Sequence, residues 1–198
     1  MFTGYSDDQL TTKLAIRDAI ASNSFNKDTL PLNIIDGKEH IAWNSGGFAR
    51  QWIQIELEES STISKMRLLV HQQPDGEVLH NFWGGESPDH ASMSFLGKLE
   101  GTLKSGEWVT FTPEVKNIPV RYILVETMKS PSWIAWGEIE VYGASNKVKA
   151  NKVKANKVKA KKQSLVQKDA TQEKQNTTNP LLILLGVIGL AFFINRNK

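Results

Sequence analysis

Hydrophobic and polar residues alternate strictly along Trp52-Ile53-Gln54-Ile55-Glu56-Leu57, which puts Ile53, Ile55 and Leu57 on one face of a strand. The same period of two runs through Met66, Leu68 and Val70, through Val109 and Phe111, through Ile123 and Val125, and through Ile139 and Val141. Turn formers separate these runs: Pro74-Asp75-Gly76, Gly84-Gly85, Ser105-Gly106 and Ser130-Pro131. Many short strands with such breaks predict an all-β sandwich or barrel, with Ile53, Ile55, Leu57, Met66, Leu68, Val70, Ile123, Val125, Ile139 and Val141 in its core. A short N-terminal helix over Leu10, Leu14 and Ile16 is expected ahead of it.

The pattern stops after Gly143. Residues 144–179 open with three copies of Asn-Lys-Val-Lys-Ala, and a five-residue period matches neither 3.6 nor 2, so no constant apolar stripe forms. A disordered linker is predicted there, with a surface-induced lysine-rich helix as the alternative. Leu181 to Ile194 then carry no charge or hydrogen-bonding side chain, and 21 uncharged residues separate Lys174 from Arg196. A run without a polar face, isolated at the chain terminus, has nothing to pack on, so a single transmembrane helix over 180–195 is expected, followed by a basic end at 196–198. The expected location is the membrane, by a single C-terminal pass, with the side left open. Ending in basic residues, the run also resembles bacterial C-terminal sorting signals, without a sorting motif before it. The polar start, with Asp7 and Asp8, lacks the charged-then-apolar order of a secretory signal.

Charge follows the same division. Residues 1–143 hold 12 Lys and Arg against 19 Asp and Glu, a net of −7, whereas residues 144–198 hold 12 against 2, a net of +10. An acidic folded part repels phosphate backbones, so nucleic acid is excluded as its partner. The chain has no cysteine, which removes disulfides, thiolate metal sites and cysteine nucleophiles.

Four motifs in order carry a family resemblance: Ile35-Asp36-Gly37-Lys38-Glu39-His40-Ile41-Ala42-Trp43, Gln51 to Leu57, Arg121-Tyr122-Ile123, and Glu138-Ile139-Glu140-Val141-Tyr142-Gly143. Together they resemble a discoidin domain, the coagulation factor 5/8 type C or galactose-binding-like fold. This is an antiparallel jelly-roll β-sandwich shared with many carbohydrate-binding modules. The resemblance covers residues 20–143 and leaves residues 1–19 as an N-terminal extension. It implies a core role for Trp43 and Trp52. It also allows a structural calcium held by Asp36 and Glu138, although Ile41 supplies no side-chain oxygen where sugar-binding members have a threonine. A hydrogen-bonded turn is the alternative.

Catalysis finds no support. His40, His71, His80 and His90 fall in no recognised metal spacing, Glu56, Glu58 and Glu59 close a strand as a solvated edge, and neither a phosphate loop nor a nucleophile elbow occurs. The resemblance implies recognition by the loops at one end of the sandwich, here Asn26 to Pro31, Asn44 to Arg50 and Gln72 to Gly85. The expected ligand-binding residues are Phe48, Arg50, His80 and Trp83: two flat apolar faces, a guanidinium and an imidazole. Trp133 and Trp136 are open between a core lid and a sugar platform. The expected function is a membrane-tethered, non-catalytic module that binds carbohydrate or another surface ligand. The alternative is an interaction module that docks a protein partner at the membrane.

Overall fold

The computed structural model describes residues 12–146 and, beyond them, Val153, Asn156, Lys157 and Lys159. Contacts divide the chain into two units, Met1–Lys149 and Ala150–Lys198, and the elements below belong to the first. Among the described residues nine strands follow in order: β1 (Thr12–Lys13), β2 (Ile16–Ala21), β3 (Trp43–Asn44), β4 (Gln51–Val70), β5 (Gly76–Gly85), β6 (Ser94–Leu103), β7 (Trp108–Phe111), β8 (Val120–Lys129) and β9 (Ala135–Ser145). Short 3-10 helices at Pro31–Ile35 and His90–Ser92 interrupt them.

All pairings are antiparallel, and β4 takes part in both layers of a β-sandwich. Its first part, Gln51 to Glu56, pairs with β2 and β8, and β8 continues through β5 to β6. Its second part, from Ser61 to Val70, pairs with β7 and β9, and β9 also holds β1 and β3. Register breaks between Glu56 and Ser61, where the chain passes from one layer to the other.

The core lies between the layers. Ile53, Ile55, Leu57, Met66, Leu68, Val70, Ile123, Val125, Ile139 and Val141 are all buried, as the alternation predicts. Phe82 of β5 stacks on Phe111 of β7 across the two layers, and Trp43 and Trp136 are buried in the same core.

Two expectations change. Residues 12–13 and 16–21 are strands, not helix: Leu14 is buried, Ile16 is packed against the core, and β2 completes the edge beside β4. The membrane location expected from the C-terminal apolar run is also corrected, because no helix among the described residues is long and apolar enough to cross a membrane. The fourteen-residue run Leu181 to Ile194 would extend roughly 21 Å as a helix against a hydrocarbon core of about 30 Å. The expected helix over 180–195, the basic end at 196–198, and all of the 144–179 linker beyond Asn146 save those four residues lie outside the described residues.

Candidate functional site

Register places one set of loops together. Gln51 faces Thr127, Gly76 faces Leu103, Leu79 faces Lys129, and Val70 faces Trp136, so the loops at 22–30, 44–50, 71–75, 104–107 and 130–134 leave the same end of the sandwich.

Hydrogen bonds lace these loops to one another. Ser45, fully buried, donates its hydroxyl to the Gly47 carbonyl (2.9 Å) and accepts from the Ile134 amide (3.2 Å), while its own amide donates to the Ile134 carbonyl (2.9 Å). The Phe25 amide donates to the Asn44 carbonyl (2.8 Å), and Asn33 Nδ2 reaches the carbonyls of Asp28 (2.8 Å) and Ala42 (3.0 Å). Gly46 has φ +67°, and a Cβ there would lie 3.0 Å from Phe25 Cα, so both conformation and closeness demand glycine.

On this frame stand the aromatic rings of Phe25 and Trp133, 5.1 Å apart and tilted at 48°. Phe25 and Phe48 are more than half exposed, at 54% and 61%. The Arg50 guanidinium is exposed and meets no carboxylate among the described residues. The loop end therefore offers flat apolar faces beside a cation whose donors are free.

Of the four expected ligand-binding residues, Phe48 and Arg50 stand here and the other two do not. His80 belongs to β5, where alternation turns Val78, His80, Phe82 and Gly84 inward. It is fully buried against Trp136, its Nδ1 lies 2.8 Å from Thr127 Oγ1, and its Nε2 has no partner. Burial pushes its pKa down to about 3. A neutral ring sealed in the core touches no ligand at the loops. Trp83 lies seven residues along β5 from Gly76, roughly 23 Å from the loop end by strand rise, and on the outward face. There it packs edge-on against His90 and Phe95, with ring centroids 4.8 and 5.0 Å away.

Sequence reasoning passed over Phe25, left Trp133 open and misplaced Trp52. Phe25 lies just before the expected Asn26 to Pro31 loop, and of the two tryptophans open between core lid and platform, Trp133 meets Phe25 at the loops while Trp136 is buried. Trp52 is not core. It is half-buried on the outward face of β4, the face that alternation opposite Ile53 and Ile55 already assigned to it.

Asp36 and Glu138 do come together, close enough to repel. Desolvation raises the Glu138 pKa, Gly37 and Lys38 main-chain N–H groups lower it, and the Asp36 charge raises it again. Asp36 Oδ1 accepts from the Lys38 amide (2.9 Å), and the Lys38 ammonium lies 3.6 Å from Oδ2. These donors occupy the carboxylates as a hydrogen-bonded turn. One orphan oxygen, Glu138 Oε1, remains, with Ile41 where a third ligand would stand. Calcium takes about six to eight oxygens, and this set does not fit it. No cluster of three or more His, Asp or Glu suited to a metal occurs among the described residues.

No family model matches the chain, and no curated protein matches it. Solved structures do. The family 32 carbohydrate-binding module of AlyQ, in complex with 4,5-unsaturated mannuronic acid, is 18% identical with a TM-score of 0.56, over 66% of this chain and 97% of that one. The family 32 module from C. perfringens NanJ, in complex with galactose, is 14% identical with a TM-score of 0.56, over 67% and 99%. A pectin-binding carbohydrate-binding module is 27% identical with a TM-score of 0.50, over 65% and 91%. These likenesses show the fold, a β-sandwich of the galactose-binding-like, discoidin type.

Proposed function

We propose that residues 12–146 form a non-catalytic carbohydrate-binding module that holds a sugar at the loop end, between Phe48, Arg50 and the Phe25–Trp133 pair. The observation that carries this reading is the set of exposed aromatic faces and one unpaired guanidinium on loops fixed by buried hydrogen bonds. An apolar ring covers the C–H face of a pyranose, and the guanidinium donates to hydroxyl or carboxylate oxygens in a fixed fork. Rigid loops lose little entropy on binding. The names of the similar structures, bound to mannuronic acid or galactose or called pectin-binding, support a sugar as the ligand class.

The test is a glycan array probed with the full chain, followed by calorimetry on the best ligand. Phe48→Ala and Arg50→Ala, each melting within about 2 °C of wild type, are expected to weaken binding about three- to thirtyfold. If both bind as tightly as wild type, the site lies elsewhere. Failure to bind any glycan would end the carbohydrate reading and leave a protein partner as the next candidate.

A further inference from the structure

The outward face of the β2–β4–β8–β5–β6 layer carries three cross-strand rows. In the middle row Ile20 faces Gln54, Gln54 faces Leu124, Leu124 faces Trp83, and Trp83 faces Phe95. Nearer the loops, Trp52 faces Glu126, which faces Asn81, and on the far side Asp18 faces Glu56, which faces Tyr122. The segment between β5 and β6 folds back over this face: Gln54 Nε2 donates to the Pro88 carbonyl (2.8 Å), and His90 sits edge-on to Trp83.

Two hollows result, sharing Ile20, Gln54 and Pro88 as walls. One, of about 340 Å³, is also bounded by Trp52, His90 and Glu126, and the other, of about 250 Å³, by Asp18, Glu56 and Tyr122. From Trp52 to Glu56 the groove follows β4 for roughly 13 Å.

Its chemistry is one-sided. Glu56 is already engaged, donated to by Arg121 (2.8 Å) and Arg17 (3.3 Å), and the Arg121 hydrogen bond holds its carboxyl below the usual range. Glu126 pairs with no cation and accepts no side-chain hydrogen bond among the described residues, and Asp18 takes only the Ala19 amide beside it. The groove thus presents aromatic and apolar walls, two carboxylates without cations, and no free ammonium or guanidinium along its lining.

We infer that this groove is a second carbohydrate site, distinct from the loop end, and that its occupant is an amino-sugar oligosaccharide whose ammonium groups reach Glu126 and Asp18 while its rings lie against Trp52 and Ile20. A uronic-acid chain is repelled there, whereas the unpaired Arg50 at the loop end attracts it. The inference shares with the loop-end reading only the ligand class, so each site can fail without the other.

Calorimetry on the full chain with a glucosamine hexamer tests it. The hexamer binds, its N-acetylated counterpart binds at least about tenfold more weakly, and added salt weakens the charged ligand only. Glu126→Gln, isosteric and half-exposed, reduces hexamer affinity at least about tenfold, while Glu39→Gln, exposed on a turn that lines neither the groove nor the loop end, serves as the charge-matched control without effect. Equal affinity for both hexamers, or full affinity in Glu126→Gln, overturns the assignment. Loss of binding in Arg50→Ala with none in Glu126→Gln moves the amino sugar to the loop end and ends the groove as a site. No hexamer binding, in a protein that binds other glycans through Phe48 and Arg50, leaves the loop site standing and removes this one.

Discussion

Burial leaves the His80 ring with one polar partner, Thr127, and lowers its pKa to about 3 from an ordinary value near 6.5. Above pH 6.5 both folded and unfolded chains carry a neutral ring. As pH falls from 6.5 toward 3, the unfolded chain takes up a proton that the folded chain refuses, and stability drops by up to ~1.4 kcal/mol per pH unit. Urea denaturation at stepped pH is expected to show wild type losing ~2 kcal/mol more than His80→Leu between pH 6.5 and 5. Parallel curves for the two proteins would mean that the ring is protonated when folded. The buried carboxylate Glu138 adds a local question that calcium answers: with its turn already closed by Gly37 and Lys38, millimolar calcium should leave the thermal midpoint unchanged, and a rise of several degrees would reveal an ion that Asp36 and Glu138 hold.

At the scale of elements, the loop at 44–50 is a strut between β3 and β4 whose shape depends on Ser45. Ser45→Ala removes the hydroxyl that the Ile134 and Gly47 amides donate to and that itself donates to the Gly47 carbonyl, leaving only the 3.3 Å bond from the Ile134 amide to the Gly47 carbonyl, at a cost of about 1–3 kcal/mol. Because Phe48 and Arg50 ride on this loop, the same variant should also lose glycan affinity; unchanged affinity in a destabilised protein would show that the loop holds its shape without the hydroxyl. The strands β4, β8 and β9 were legible because period-two runs such as Ile53-Gln54-Ile55-Glu56-Leu57 declare which face is buried. β5 was hidden as a loop because Asp75-Gly76 and Gly84-Gly85 both read as turns, although Val78, His80 and Phe82 keep the same period between them. That period would have sent His80 inward and Trp83 outward. What no local pattern contains is register. The row from Ile20 through Gln54 and Leu124 to Trp83 joins residues far apart in sequence, and the groove exists only through it. Likewise Phe25 meets Trp133 only because the loops on either side of β3 and before β9 share hydrogen bonds.

For the molecule as a whole, the two layers are joined where Phe82 stacks on Phe111, both buried. Phe82→Ala is expected to cost ~3–5 kcal/mol in chemical denaturation, since a large void between the layers cannot collapse without moving both; a loss below about 1 kcal/mol would mean that the sheets close over it. Pairing of Thr12 with Gly143 brings the first and last strands of the sandwich side by side, at the end opposite Phe48 and Arg50. The sandwich therefore behaves as a plug-in part with both leads on one side. Whatever precedes Thr12 and whatever follows Ser145 can be exchanged, lengthened or fused without crossing the loops that carry Phe48 and Arg50, and the neighbouring leads could be joined to each other with new ends opened at the exposed Lys116–Asn117 turn.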